Sequence, residues 1–499
     1  MGAYNGSGTF VRTYDWTTDE GNGINIEASR MDTEDDGFAT GLSTCITKDG
    51  QTTVTANIPM NSKKFTGLTA GSARTDSISL GQVQDGTYTT LGTSGGSANT
   101  YTATPSPAIG AYTAGQEFVI KFHAINTGAS TLNTSAKGAR DLKKWDGAGA
   151  KVALEAGDIQ IQHYKLFDDG TDIVVLNLVK QPAKHNLIIN GQGIIAQRGT
   201  TFDSTTTPAN SDDTYLLDRM LLVSDGNDIV DVSQETTTVP TGSYSAIKFD
   251  VETANKQFGY VQILEAKDAA AIIGGTASLS FKARKGGSNA TLETLRAAII
   301  SWDSTADTVT SDVVGTWAGA GTDPTLATNW TYENTPSDLT LTTSYQTFKI
   351  ENVSIDTAST TNVAVFIWCD DTDATVADLA YITDIKLEEG SVSTDFVARP
   401  YQQELALSQR FYLQDDSPRL SAEGNAVGAS NGVTYVDYCY PVTMRASPSR
   451  IDPTFSTSNC GTPSGTSDEV KAEFSALASG SGRFFFSYSS GSLKFDSEL

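Results

Sequence analysis

Four of the six tryptophans in this 499-residue chain, Trp302, Trp317, Trp330 and Trp368, fall within one third of its length, with Tyr332 among them. Trp317 stands in GTWAGAGTD and Trp330 in ATNWTYEN, two polar stretches that read as loops. Rings carried in such loops stack on the apolar faces of sugars, while neighbouring Asn and Asp side chains bond the hydroxyls. Trp317, Trp330 and Tyr332 are therefore the candidate glycan-binding residues. The competing reading makes the loop tryptophans caps on the edge of a core. Trp368, inside VAVFIWC, reads as core.

Catalytic and metal chemistry finds less support. Gly191-Gln192-Gly193-Ile194-Ile195-Ala196 has the letters of a dinucleotide turn, but TTFDSTTTPANSDDTY follows where a helix is required. Gly92-Thr93-Ser94-Gly95-Gly96 matches a nucleophile elbow by letters, without the flanking strand and helix. His123, His163 and His185 are the only histidines and share no metal-ligand spacing. Asp32, Glu34, Asp36 and Gly37 imitate the start of a calcium loop, but Ser43 stands where a bidentate glutamate is needed. Asp370, Asp371 and Asp373 form an oxygen-rich cluster that reads as a solvated turn. No acid sits in an apolar run that would raise its pKa for general-acid work. The expectation is a chain with no catalytic residues, no metal and no cofactor, and not an enzyme.

The elements that must position these residues are strands. The chain owes its polarity to Thr, Ser, Gly and Asn rather than to charge, and these residues favour turns and, for Thr, strands. Its formal net charge of −25 repels phosphate backbones, so nucleic acid is excluded as a partner. No apolar run of membrane-spanning length occurs, and the first residues match neither a secretory signal nor a myristoylation site. Cys45, Cys369, Cys439 and Cys460 lie far apart and read as reduced thiols.

Along the chain, residues 1–90 carry one helical pattern. Ile24, Ala28, Met31, Asp35, Phe38 and Leu42 are spaced as a short heptad seam. It reads either as one amphipathic surface helix or as the seam of a bundle of identical chains. Short strand-like pieces follow through residues 45–86, too poor in apolar residues to fill a core alone; intertwining of three chains would supply it. Residues 91–180 read as a small β-module: Phe118, Ile120 and Phe122 alternate onto one face, and Asp168-Asp169-Gly170 joins two strands of a hairpin. Residues 179–185 read as a linker. Strand candidates at regular spacing over 186–398 predict a jelly-roll β-sandwich. A linking helix is expected over 401–413, and a terminal β-sandwich in the remainder of 401–499. The fold class is mostly β and multi-domain.

Lys48-Asp49-Gly50-Gln51, then Ile58-Pro59-Met60, then Lys64-Phe65-Thr66-Gly67-Leu68 stand in an order that resembles the N-terminal region of the tail fibre and receptor-binding appendage proteins of tailed bacteriophages. FVIKFHAINTGASTLNTSAKGARDLKKWDG is similar to a small β-module common in such fibres. NLIINGQGIIAQRGTTF, TYLLDRM and ITDIKLEEGSVSTDFVARPYQQELALSQRFY resemble a carbohydrate-binding-like jelly roll, and YPVTMRASPS and SLKFDSEL its C-terminal companion. Met220 departs from the aromatic that often follows Asp-Arg, and Ser408 from a frequent cysteine.

The resemblance implies a homotrimeric virion appendage made in the host cytoplasm. Its N-terminal region would dock on tail or baseplate proteins and its distal modules would attach to host surface polysaccharide. The alternatives are a purely structural virion protein, such as a capsid decoration or fibre connector, and a polysaccharide depolymerase.

Overall fold

The computed structural model describes residues 3–4, 9–46, 51, 53–55, 57–58, 60, 62–73, 75–146, 149–178, 184–287, 291–309, 312–369 and 374–499. The acidic cluster at Asp370, Asp371 and Asp373, most of the 179–185 linker and much of the Lys48–Gln51 motif lie outside them. The chain is mostly β and divides into two compact units, one of residues 1–90 with 105–110, the other of 91–104 with 111–499.

In the first unit the two-residue strands Ala3–Tyr4 and Phe10–Val11 pair, and helices span Trp16–Gly21, Ala28–Ser43 and Leu80–Gln84. The long helix turns Glu34, Gly37 and Gly41 inward. A Cβ at Gly41 would sit 2.3 Å from the Phe10 ring, so only glycine lets the hairpin lie this close. The Glu34 carboxylate accepts from the Thr13 and Tyr14 amides at 2.9 and 3.1 Å, and the EF-hand-like letters around it are helical.

The seam differs from expectation at one end. Ile24 precedes the helix, because the helix before it ends at Gly21, capped by Asn22, and Gly23 takes φ +71. Met31, Asp35, Phe38 and Leu42 share one exposed face, Ala28 is also exposed, and Phe38 stacks on Phe10 at 5.4 Å. Two further corrections fall here. The described residues of 51–78 form no strand, and their apolar side chains Val54, Ile58, Phe65, Leu68 and Ile78 are exposed. Residues 79–84, read as strand-like, form a helix turn closed by a capping box between Ser79 and Gln82; the Ser-x-x-Gln spacing was the overlooked signal. Likewise Asp15, which accepts from the Thr17 amide, announces the unforeseen helix Trp16–Gly21.

In the second unit, strands between Thr90 and Val175 form one sheet, mixed in direction. Phe118, Ile120 and Phe122 are buried as the alternation predicts. His163–Asp168 and Ile173–Val175 form the predicted hairpin, with Gly170 at φ +97 in its turn. The elbow-like serine interlocks this sheet: Ser94 Oγ lies 2.8 Å from His123 Nδ1 and accepts from the His123 amide at 3.0 Å.

The next 200 residues build two packed antiparallel sheets. One runs Thr201–Phe202, Val230–Glu235, Ala246–Val251, Asp378–Glu389, Thr276–Gly287, Gln346–Ser354. The other runs Thr214–Tyr215, Leu221–Ser224, Phe258–Ile263, Asn362–Cys369, Thr294–Trp302, Trp330–Tyr332, with Leu339–Thr340 also on Thr294–Trp302. This second sheet is buried on both faces. Val363, Val365 and Ile367 point into the core between the sheets; Ala364, Phe366 and Trp368 point outward into a second apolar cluster, beneath the excursion that joins Trp302 to Trp330. Double burial explains why Asn362–Cys369 reads as an unbroken apolar run rather than an alternation.

On the first sheet, Asp231 faces Asp250 across adjacent strands. Burial, then the charges of Glu252, Asp203, Asp228 and Asp250, push the Asp231 pKa up to about 6. A carboxyl whose pKa is raised on folding holds its proton more tightly in the native state, so its stabilising contribution is full below the ordinary carboxylate range and is lost as the pH rises through about 6. Asp231→Asn is expected to melt above the wild type at neutral pH and to converge with it in acid, as read by thermal denaturation across pH.

The C-terminal strands surround Leu413, Met444, Phe474, Phe486 and Phe495. The helix expected over 401–413 ends at Gln409. Tyr412–Asp415 is instead a strand on Leu493–Asp496, which places Leu413 in the C-terminal core.

Candidate functional site

The excursion between Trp302 and Trp330 doubles back through a short ladder, Val314–Thr316 with Thr325–Leu326. Trp317 follows directly, half-buried, its ring edge-on to Phe366 at 6.2 Å. Phe366 in turn stacks on Trp368 at 4.3 Å, so the doubly buried strand anchors the indole. Trp317 lines an open cleft of about 550 Å³ together with Asp212, Asp225, Asn255, Gln257 and Asp312. Gln257 precedes the central strand Phe258–Ile263, and Ser224-Asp225 closes its neighbour Leu221–Ser224, so two side chains are fixed by the sheet and the rest by its loops.

The polar groups of the cleft are unequally satisfied. Asp212 Oδ1 accepts from the Ser224 amide at 2.6 Å, Asp312 Oδ1 from the Val314 amide at 3.0 Å, and Asp225 pairs with Lys256 at 2.7 Å. Gln257 is only 3% exposed and its Nε2 has no partner. Asp213 lies beside the cleft at φ +54, hydrogen-bonded to Asp312. Burial first, then the charges of Asp312 and Asp212, push its pKa up to about 7. Burial also raises Asp212. The expectation that no carboxyl is driven upward is thus corrected: tertiary packing, not a flanking apolar run, does it here and at Asp218, where burial gives about 6.

The three predicted aromatics do not share this cleft. Only Trp317 lines it. Trp330 begins the strand Trp330–Tyr332 rather than sitting in a loop, is 6% exposed and packs 5.3 Å from Trp302. Its ring belongs to the cluster on the outer sheet face and offers no stacking surface. Tyr332 is half-buried, its hydroxyl donates to the Pro324 carbonyl at 2.9 Å, and burial raises its pKa. The sequence reading missed Asp212, Asp225, Asn255, Gln257 and Asp312. The doublet Asp212-Asp213 and the run Ser224-Asp225-Gly226-Asn227-Asp228 were visible, but no local pattern brings residue 212 to residue 312.

A second cleft, of about 510 Å³, has exposed Tyr244 and Tyr401 among its lining. Its polar side chains are already partnered: Arg399 donates to Glu404 at 3.0 Å and to the Ile188 carbonyl at 2.9 Å, and Gln192 donates to Asp384. It therefore holds less unspent hydrogen-bonding capacity than the Trp317 cleft.

Fold and cleft together define a mostly β chain in which two packed antiparallel sheets carry one aromatic ring beside carboxylates and amides. No family model matches the sequence, and no curated protein matches it. Among solved structures it is similar to the enzymatically active domain of bacteriophage CBA120 tailspike protein 4, at 12% identity and a TM-score of 0.25, over 41% of this chain and 21% of that one. It is also similar to a putative sugar binding protein from Bacteroides thetaiotaomicron, at 12% identity and 0.26, over 41% and 100%. The tandem CBM22-1-CBM22-2 domain of Paenibacillus barcinonensis Xyn10C gives 8% and 0.24, over 65% and 98%. The chain thus spans about a fifth of the tailspike chain.

Proposed function

We propose that this chain is the subunit of a bacteriophage virion appendage, a tail fibre, that attaches the particle to glycans on the host cell surface. The resemblance running in order through the sequence supports the placement in the virion. The observation that carries the glycan reading is the cleft in which the half-buried Trp317 stands beside the unpartnered Gln257 amide nitrogen and three carboxylates. An indole face takes the apolar face of a sugar ring, and carboxylates and amides take its hydroxyls. Linked copies raise the effective concentration of such sites, so each can be weak.

Trp317→Ala is expected to weaken binding of the purified chain to host surface polysaccharide by about 1–3 kcal/mol, with Tyr244→Ala unchanged, as measured by calorimetry. Undiminished binding in Trp317→Ala would reject the cleft; loss in Tyr244→Ala alone would move the site to the second one.

The reading includes a homotrimer that docks on the tail or baseplate through residues 1–90. Its support is the exposed face of Met31, Asp35 and Leu42 on a helix whose other face packs on its own hairpin, with Phe38 half-covered by the hairpin's Phe10. Sedimentation should give three times the monomer mass, and Met31→Asp with Leu42→Asp should lower it. A wild-type monomer would remove the trimer.

Cleavage of the polysaccharide is the second reading, favoured by the raised Asp213. Its geometry is unfavourable. A glycosidase holds its two carboxyls on either side of the scissile bond, whereas Asp213 and Asp312 are hydrogen-bonded to each other. New reducing ends after incubation with the polymer would establish cleavage.

A further inference from the structure

We propose that Asp212, Asp213 and Asp312 hold a calcium ion beside the Trp317 cleft. One carboxylate oxygen from each lies within 4.8 Å of the other two. Two oxygens bound to one calcium at roughly 2.3–2.6 Å stand at most about 5 Å apart, so each pair in this cluster is within the span of a single cation. The three acids come from two loops 100 residues apart in sequence, brought together by the fold alone. Among the described residues none of them forms an ion pair with a lysine or arginine, whereas their neighbour Asp225 has Lys256 at 2.7 Å. Three crowded carboxylates without a counter-charge are a cost that a divalent cation removes.

A second observation points the same way and does not involve charge. Gln257 lines the cleft with Asp212 and Asp312, is 97% buried, and its amide nitrogen has no partner. A buried amide left unsatisfied costs free energy unless something fills its hydrogen-bonding capacity. The oxygen and nitrogen of a glutamine amide exchange places by a half-turn about the last side-chain bond. Turned so, Gln257 puts a neutral oxygen where its unpartnered nitrogen stands, in the lining it shares with Asp212 and Asp312. Asp212 Oδ1 and Asp312 Oδ1 each accept from a backbone amide, and the Asp213–Asp312 hydrogen bond is the contact that a cation would replace.

The donor set selects the metal. All donors are oxygens, with no histidine or thiolate, which disfavours zinc and copper. They sit on irregular loops, which tolerate the variable six- to eight-fold shell of calcium better than the strict octahedron of magnesium. Water completes the shell, and the open cleft admits it. The site stands on this geometry alone and does not depend on the glycan reading.

The test uses the full chain, stripped with a chelator and titrated with Ca²⁺ by calorimetry, and with Tb³⁺, whose luminescence Trp317 sensitises at short range. The expected result is a site whose affinity falls at least tenfold in Asp312→Asn and in Asp213→Asn but holds in Asp225→Asn. Asparagine tolerates the left-handed backbone at 213. Calcium should raise the melting temperature of the wild type and not of the two cluster variants. In chelator those variants should melt no lower than the wild type, since each removes one charge from the crowd. Absence of calcium binding at millimolar concentration, or equal affinity in the wild type and both cluster variants, overturns the proposal. Cluster variants that melt well below the wild type in chelator overturn it as well, because the carboxylates would then be acceptors the fold needs without a metal.

Discussion

Glu498→Ala is expected to cost about 3–5 kcal/mol of stability, the range for breaking a buried ion pair from one side. Glu498 is 5% exposed and reaches two guanidiniums that are themselves buried, Arg198 at 4% and Arg219 at 1%. Arg198 keeps a second carboxylate, Asp496, at 3.1 Å. Arg219 pairs with Glu498 and otherwise donates to the Ile263 carbonyl, with its guanidinium 3.7 Å over the Phe411 ring. Removing Glu498 leaves that cation desolvated beside an aromatic face and one carbonyl. Because Arg219 belongs to the sandwich and Glu498 follows the last C-terminal strand, the loss should also loosen the C-terminal strands from the sandwich. Chemical denaturation read by fluorescence and by limited proteolysis after residue 400 measures both. The double change Arg219→Met with Glu498→Leu separates charge from packing: replacing both partners by apolar groups should recover most of the loss. A single Glu498→Ala chain that unfolds with the wild type would show that the guanidiniums are satisfied without it.

This cluster also shows what was legible in the sequence. Leu-Asp-Arg at 217–219 stood out as part of a resemblance, but the residues that answer it, Glu498 and Phe411, lie far along the chain, and no spacing rule connects them. Local patterns fared better. The alternation of Phe118, Ile120 and Phe122, the Asp-Asp-Gly turn and the continuous apolar run at 362–369 each reflect a constraint satisfied within a few residues, and each appears as read. Reading failed where tertiary burial overrode a local preference. Tyr412 and Leu413 continued a helical pattern, yet the strand partner at 493–496 captured them. Trp330 sat in a polar stretch that resembled a loop, yet a sheet edge took the ring inside. The candidate site divides the same way: Trp317 was visible from its neighbours, while Asp212, Gln257 and Asp312 became a cleft only through the fold. The departure noted at Ser408 acquires a physical meaning: the residue is fully buried and its hydroxyl has no partner, which a less polar thiol would relieve.

The second large effect is expected at Gly191, in the run whose letters imitate a dinucleotide turn. A Cβ there would lie 2.2 Å from the Ile385 carbonyl oxygen, and 3.2 Å from its carbon. That atom is backbone of the long strand Asp378–Glu389, the middle of the first sheet, and cannot swing aside. The same contact is locked by a hydrogen bond from the Ile385 amide to the Gly191 carbonyl at 2.9 Å. Around it Asn190 donates to the carbonyls of Ile195 and Asp218 and accepts from the Ile195 amide, so the turn has no slack on its other side. Gly191→Ala must therefore push the turn off the sheet, at about 3 kcal/mol or more. Gly193, two residues on, supplies the comparison. It has φ +66, where a side chain is strained, but a Cβ there meets only the side chains of Ile247 and Leu217 at 3.1 and 3.3 Å. Gly193→Ala should cost about 1 kcal/mol, the ordinary penalty of placing a side chain in the left-handed region. The order of the two is decided by what stands opposite each Cβ, a main-chain oxygen in one case and movable methyl groups in the other. Urea midpoints of the two variants measure it, and a larger loss at Gly193 would mean that backbone conformation, not close approach to the sheet, is why this turn requires glycine.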